Sequence, residues 1–190
     1  MPPGPPERIE TSRLHLRCWR PGDAPLIQEA IADSLEHLRP WLPWALAEPS
    51  PPAAMAERLE LFAAWFQVGE DWHYGIFSPD EQRVIGGCGL HPRIGPLGIE
   101  IGYWIRAEET RRGYATEAAE ALTRAALVLP GIERVEIRCD ARNLPSAGIP
   151  RKLGYRLVET RRDNAAPGGG PREVLVFRLT RTWVGDAGAR

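Results

Sequence analysis

Apolar positions recur along this chain with two periods, and the changes from one to the other mark its elements. Residues 13–19 alternate Leu14, Leu16 and Cys18 against Arg13, His15 and Arg17, the pattern of a half-buried strand. After a Pro21-Gly22 turn, Asp23 is placed to cap a helix with Leu26, Ile27, Ala30 and Ile31 on one face. A short helical stretch at 34–39 runs into Pro40 and Pro43, which must end it. Over 53–68 the set Met55, Leu59, Phe62 and Phe66 has helical spacing and predicts an amphipathic helix. Three strand-like runs follow, at 72–78, 83–91 and 97–106, joined by turn-rich links that suit antiparallel neighbours. The helical period returns with Ala115, Ala118, Ala119, Leu122, Ala126 and Leu129, and Pro130-Gly131 stops it. A strand at 133–140, a short helix at 143–153 and strands at 155–161 and 173–181 complete the order. The glycine-rich tip at 164–171 is expected to be mobile.

Composition removes several classes. Glycine and proline number 19 each among 190 residues, enough to suggest a linker, but 43% hydrophobic residues and seven tryptophans require a packed interior. The order predicts a single domain over 13–182, with a flexible segment at 1–12 and a tail at 183–190. A formal net charge of -1 lacks the positive field of a dedicated nucleic-acid or membrane binder. Cys18, Cys88 and Cys139 are odd in number and widely spaced, which favours neither a disulfide framework nor a zinc site. His15, His37, His73 and His91 show no metal-ligand spacing, so no metal is expected and they read as surface or core residues. With no apolar leader at the N-terminus and no run of about 18 apolar residues, a soluble cytoplasmic protein is expected.

The most informative stretch is Thr110-Arg111-Arg112-Gly113-Tyr114-Ala115-Thr116, between a strand and a helix. The first backbone N–H groups of a helix have no internal acceptor, and the helix dipole presents its positive end there. Gly113 allows close approach, and two arginines stand beside it, so the stretch is a candidate pyrophosphate site or an ordinary solvated arginine pair. Neither a Walker A sequence nor a strand-following Gly-x-Gly-x-x-Gly occurs, which disfavours nucleotide hydrolysis and a dinucleotide fold.

Taken with Ile99-Glu100-Ile101-Gly102-Tyr103-Trp104-Ile105, Asn143-x-x-Ser146 and Lys152-Leu153-Gly154-Tyr155, that stretch resembles the GNAT superfamily of N-acetyltransferases. The similarity spans roughly 13–181 and is strongest to the RimJ and RimL branch, which the segment 38–44 also resembles. It implies an α+β (α/β) fold, with a mixed, mostly antiparallel sheet of about seven strands flanked by helices. It also implies acetyl-CoA as cosubstrate, bound in a cleft where two parallel strands splay apart. Residues Arg111, Arg112, Gly113, Tyr114, Ala115 and Thr116 would then hold the pyrophosphate. The backbone of Tyr103, Trp104 and Ile105 would pair with the pantetheine arm. One departure is visible: the family usually carries Gln or Arg where Thr110 stands.

Acyl transfer from a thioester to an amine needs a proton acceptor, donors for the oxyanion and a donor for the departing thiolate. In the resemblance Glu100 matches the general base, and a backbone N–H near Trp104 serves the oxyanion. The tyrosine acid that many members carry falls at Pro150, which cannot donate. The resemblance therefore shifts that role to Ser146, with Asn143 orienting the coenzyme or the helix start; a helix cap is the other reading of Ser146. Trp41, Trp44 and Trp72 are candidate acceptor contacts or core residues. At pH 7, deprotonating an α-amine costs about 1 kcal/mol and a lysine side chain roughly 4 to 5 kcal/mol, which favours a protein N-terminus over a side chain. The expected activity is N-acetyl transfer by direct attack, to an N-terminal α-amine or, alternatively, to a small-molecule amine or antibiotic. Succinyl-CoA use and a non-catalytic coenzyme-A sensor are the remaining alternatives, and a homodimer is possible from the resemblance.

Overall fold

A computed structural model describes residues 4–163 and 170–181. Most of the glycine-rich tip at 164–171 and the whole tail at 183–190 lie outside the described residues. The described chain forms one sheet of eight strands in the order β1-β2-β3-β4-β5-β6-β8-β7. These are β1 (Arg8–Glu10), β2 (His15–Cys18), β3 (Trp72–Phe77), β4 (Val84–His91), β5 (Gly98–Ile105), β6 (Arg134–Asp140), β7 (Arg156–Asp163) and β8 (Arg172–Thr180). Five α-helices flank it: α1 (Ala24–Ala32), α2 (Leu35–Leu38), α3 (Pro52–Val68), α4 (Tyr114–Leu127) and α5 (Leu144–Lys152). The strand beyond the expected seven is β1, which pairs with β2 inside the segment read from sequence as flexible. Its three residues carry too little alternation to be seen in advance.

All neighbouring strands run antiparallel except β5 and β6. Side chains alternate across the sheet, so register assigns each residue to a face. On one face Ile99, Ile101 and Ile105 of β5 and Val135 and Ile137 of β6 join a core with Ala118, Ala119, Leu122 and Ala126 of α4 and Ala147 of α5. The small residues let α4 lie close to the strands. On the other face Phe77 and Val84 pack with Ile27 and Ile31 of α1 and Met55 and Leu59 of α3. The helix α3 ends at Gly69, whose φ of 76° suits a left-handed cap.

Asp23 departs from its sequence reading. Its side chain does not cap α1. It is instead buried against Arg17, which donates to its two oxygens at 2.7 and 2.8 Å. Arg17 also donates to Glu81 at 2.6 Å, and its guanidinium covers the Phe77 ring at 3.9 Å. Removing one member of a buried pair costs about 3 to 5 kcal/mol when it leaves the other charge uncompensated, and less here because Glu81 remains beside Arg17. The variant Asp23→Ala should therefore lose more urea-unfolding free energy than the roughly 1 kcal/mol of a lost cap, and less than the full penalty of a stranded charge.

Candidate active site

The ladder between β5 and β6 is short. Four pairs, from Gly98↔Arg134 to Ile101↔Ile137, are in register, and beyond them the strands separate. Each stays paired on its outer side, β5 to β4 through Ile105 and β6 to β8 through Asp140. The gap opens into a cavity of about 1280 Å³, whose walls include 100–105, 109–116, 138–140, Asn143, Ser146 and Trp41.

On the α4 side the cavity meets the loop leading into that helix. Arg111 and Gly113 adopt φ of 62° and 84°, and Gly113 is the N-cap with no side-chain bond to the first turn. Alternating hand turns successive N–H groups toward one point, forming an anion-binding nest. The first intrahelical bond runs from Glu117 N to Gly113 O, so the N–H groups of Tyr114, Ala115 and Thr116 are free of the helix. The N-terminal turn clamps this loop from behind. Arg13 donates to Arg112 O at 2.9 Å and to Glu117 at 2.8 Å, and the Glu117 carboxylate also accepts from Thr11 and Ser12. Burial acts to raise the Glu117 carboxyl, but those hydrogen bonds outweigh it and hold the group below its ordinary value.

Tyr103 and Ser146 meet across the same face. The Tyr103 hydroxyl donates to Ser146 O and shares a hydrogen bond with Ser146 Oγ, each at 3.2 Å. Burial pushes the Tyr103 phenol up, so it stays protonated as a donor. Burial likewise raises the Cys139 thiol, opposed by a hydrogen bond with Ser146. Capping belongs to Asn143, whose Oδ1 accepts from Ser146 N at 3.1 Å. The Ser146 hydroxyl is thereby left for the cavity. Pro145 occupies the first turn, and Pro150 lies inside the nine-residue helix α5.

The opposite face carries a row of charge. His91, Glu100 and Glu136 are successive register partners on β4, β5 and β6. Glu100 is 8% exposed; Arg93 donates to it at 2.7 Å, and Arg138 lies 3.5 Å away. Glu136 is paired with Arg138 and Arg178 at 2.8 and 2.6 Å. Of the three tryptophans, Trp41 lines the cavity. Trp44 packs edge-on to Trp104 at 5.9 Å and is 38% exposed. Trp72 does not line the cavity and packs against the core and Gly4.

A family description, "Acetyltransferase (GNAT) domain", matches residues 13–156. The chain belongs to the GNAT acetyltransferase family. The ribosomal protein uS5-alanine N-acetyltransferase of Escherichia coli is 25% identical over 93% of this chain and 92% of its own length. Two solved structures share the fold. RimL, a ribosomal-protein α-N-acetyltransferase in complex with coenzyme A, has a TM-score of 0.82 at 19% identity and covers 92% of this chain and 98% of its own. The microcin C7 self-immunity acetyltransferase MccE, in complex with acetyl-CoA and AMP, has a TM-score of 0.83 at 16% identity over 92% and 97%.

As a GNAT enzyme the protein is an acetyl-CoA-dependent acetyltransferase, and its own residues fit that cosubstrate. The nest before α4 offers unpaired N–H groups to a pyrophosphate, and the separated edge of β5 offers main-chain partners to an amide-bearing arm. Thr110, at the position of the family's usual Gln or Arg, turns its hydroxyl back to Ala107 O at 2.9 Å. Arg111 has no ion-pair partner among the described residues and stands at the cavity mouth. Sequence reasoning missed Arg138 and Arg93, whose role depends on register rather than spacing. An alanine at Gly113 must hold a positive φ at a cost of about 1 to 2 kcal/mol. Gly113→Ala is expected to weaken coenzyme A binding about 5- to 30-fold by titration calorimetry, with the sheet intact by circular dichroism.

Proposed function

We propose that this enzyme acetylates the N-terminal α-amine of a protein by direct transfer from acetyl-CoA. The observation that supports it most is the division of the cleft. A hydroxyl pair, Tyr103 and Ser146, stands on the α4 and α5 side, and a carboxylate row, Glu100 and Glu136, lies on the α1 and α3 side. A leaving thiolate needs a hydrogen-bond donor, and an incoming ammonium is drawn to carboxylates. Uncoupling the two by the thickness of the sheet lets each reactant enter from its own side.

In this reading the backbone of residues 111–116 binds the pyrophosphate and Tyr103 to Ile105 align the pantetheine arm. The Trp104 N–H faces the carbonyl oxygen. Ser146, held by Tyr103, donates to the sulfur. Glu100, ion-paired with Arg93 and Arg138, orients the ammonium. The uS5-alanine acetyltransferase acts on an N-terminal alanine of a ribosomal protein according to its name, which supports an α-amine as the acceptor. The pKa difference between the two amine classes supports the same choice.

Coenzyme A thiol release, measured with acetyl-CoA against unblocked peptides, N-terminally blocked peptides containing lysine, and small amines, checks the acceptor. Release with the unblocked peptides alone is expected; turnover only with small amines would replace this reading with a small-molecule acetyltransferase. With the accepted peptide, Ser146→Ala should lower kcat about 100-fold, at the low end of acid–base contributions, and leave the coenzyme A Kd within about twofold. An unchanged kcat would remove Ser146 from the reaction.

A further inference from the structure

His91 lies on the acceptor face as the register partner of Glu100. Its ring reaches over the neighbouring row of the sheet. A methyl group added to Gly89 would meet the ring at 2.7 Å, and one added to Gly102 would meet Nε2 at 3.1 Å. Gly89 and Gly102 are themselves register partners, so the ring fills the space of two absent side chains. Gly102 lines the cavity and is the first residue of β5 beyond the ladder to β6. Nε2 therefore stands at the notch where the strands begin to part.

The other ring nitrogen is fixed. Nδ1 lies 2.5 Å from Asp71 Oδ1, and the second oxygen of Asp71 lies 3.2 Å from His73 Nε2. Phe62 of α3 stacks on His73 at 3.9 Å and holds the assembly against the sheet. Burial acts to raise the Asp71 carboxyl, but its contacts with His73 and His91 outweigh it and keep the group well below the usual carboxylate range. A carboxylate accepting from Nδ1–H leaves the lone pair on Nε2 and stabilises the imidazolium once formed. The charged and titratable groups facing His91 are Asp71 and His73 beside and on β3 and Glu100 on β5, with Arg93 close enough to act on Asp71. From α3 come the rings of Phe62 and Trp65.

Building on the acceptor reading above, we propose that His91 is the proton acceptor of the reaction. It works through one water molecule in the notch over Gly102, and Asp71 is its positioning residue. Nε2 takes one proton from the acceptor ammonium. The amine nitrogen then bonds to the acyl carbon, the carbon–sulfur bond breaks, and the second nitrogen proton goes to the departing sulfur by way of the Ser146 hydroxyl. The imidazolium returns its proton to solvent. Glu100 is the weaker candidate on geometry: protonating it would forfeit its ion pairs with Arg93 and Arg138, whereas protonating His91 creates one with Asp71.

The test is the pH profile of kcat/KM for the wild-type enzyme and its variants, with whichever amine the thiol-release screen accepts. An imidazole must be neutral to accept a proton, so the rate rises with pH in the wild type. In His91→Gln, kcat should fall about 100-fold. Its rising limb should move alkaline to follow the amine alone, while the acetyl-CoA KM stays within about twofold. Asp71→Asn should move the limb the same way with a smaller loss, and Glu100→Gln should leave it in place. Added imidazole should restore part of the activity of His91→Ala. A limb unmoved in His91→Gln, a limb that moves in Glu100→Gln, or no rescue by imidazole would overturn the proposal. Ring NMR signals give a readout that needs no acceptor: acetyl-CoA should shift those of His91 and leave those of His15 in place. If no amine is acetylated the acceptor reading falls, and an unmoved His91 signal then overturns this proposal on its own.

Discussion

The parting of β5 and β6 after four residue pairs is the constraint on which the site depends. Backbone N–H and C=O groups buried without partners cost free energy, so strands seldom separate inside a sheet without compensation. Here each strand keeps its outer neighbour, β4 or β8, to the end of the gap, so only the facing edges lose partners. Those edges are the part of the sheet that a bound amide chain can complete. The cleft thus stores unmet hydrogen-bonding capacity at the place where binding energy is needed.

The gap also fixes which groups can meet a ligand from each side. On the α4 side the positive φ of Arg111 and Gly113 gathers main-chain donors, and Arg13 and Glu117 tie the loop to the N-terminal turn. Those donors are main-chain groups, so the Thr110 departure leaves them in place. On the other side Glu100 and Glu136 are adjacent carboxylates that would repel one another without Arg93, Arg138 and Arg178. The arginines neutralise the row and hold it rigid.

Alternation and helical spacing made nearly every element legible, because burying one face of a strand or helix leaves a periodic trace. The turn at Gly113 was legible too, since it and the start of α4 lie together in the chain. What depended on register was not. Asp23 looked like a cap because its sequence neighbours suit one, yet Arg17, on β2, takes its carboxylate. For Trp44 and Trp72 the sequence left pocket contact and core packing both open, and register put their rings against Trp104 and the core. His91 offered no spacing to Asp71, twenty residues away in the chain. Its traces were the glycines at 89 and 102, whose missing side chains leave the space its ring fills.

In the proposed reaction the two hydroxyls and the imidazole divide the work of acyl transfer to an amine between the two faces of the sheet. The reaction must remove a proton from nitrogen and supply one to sulfur, and a single group serving both would need to lie within reach of both atoms. Tyr103 and Gly102 are adjacent on β5 and so present opposite faces. The hydroxyl on one side and the glycine notch on the other put a donor and an acceptor about one sheet thickness apart. Asn143 contributes by taking over the helix cap, which frees Ser146 Oγ for Tyr103. In the proposed reaction the two adjacent residues of β5, one with a phenol and one with no side chain at all, thus place the first proton transfer on one face of the sheet and the second on the other.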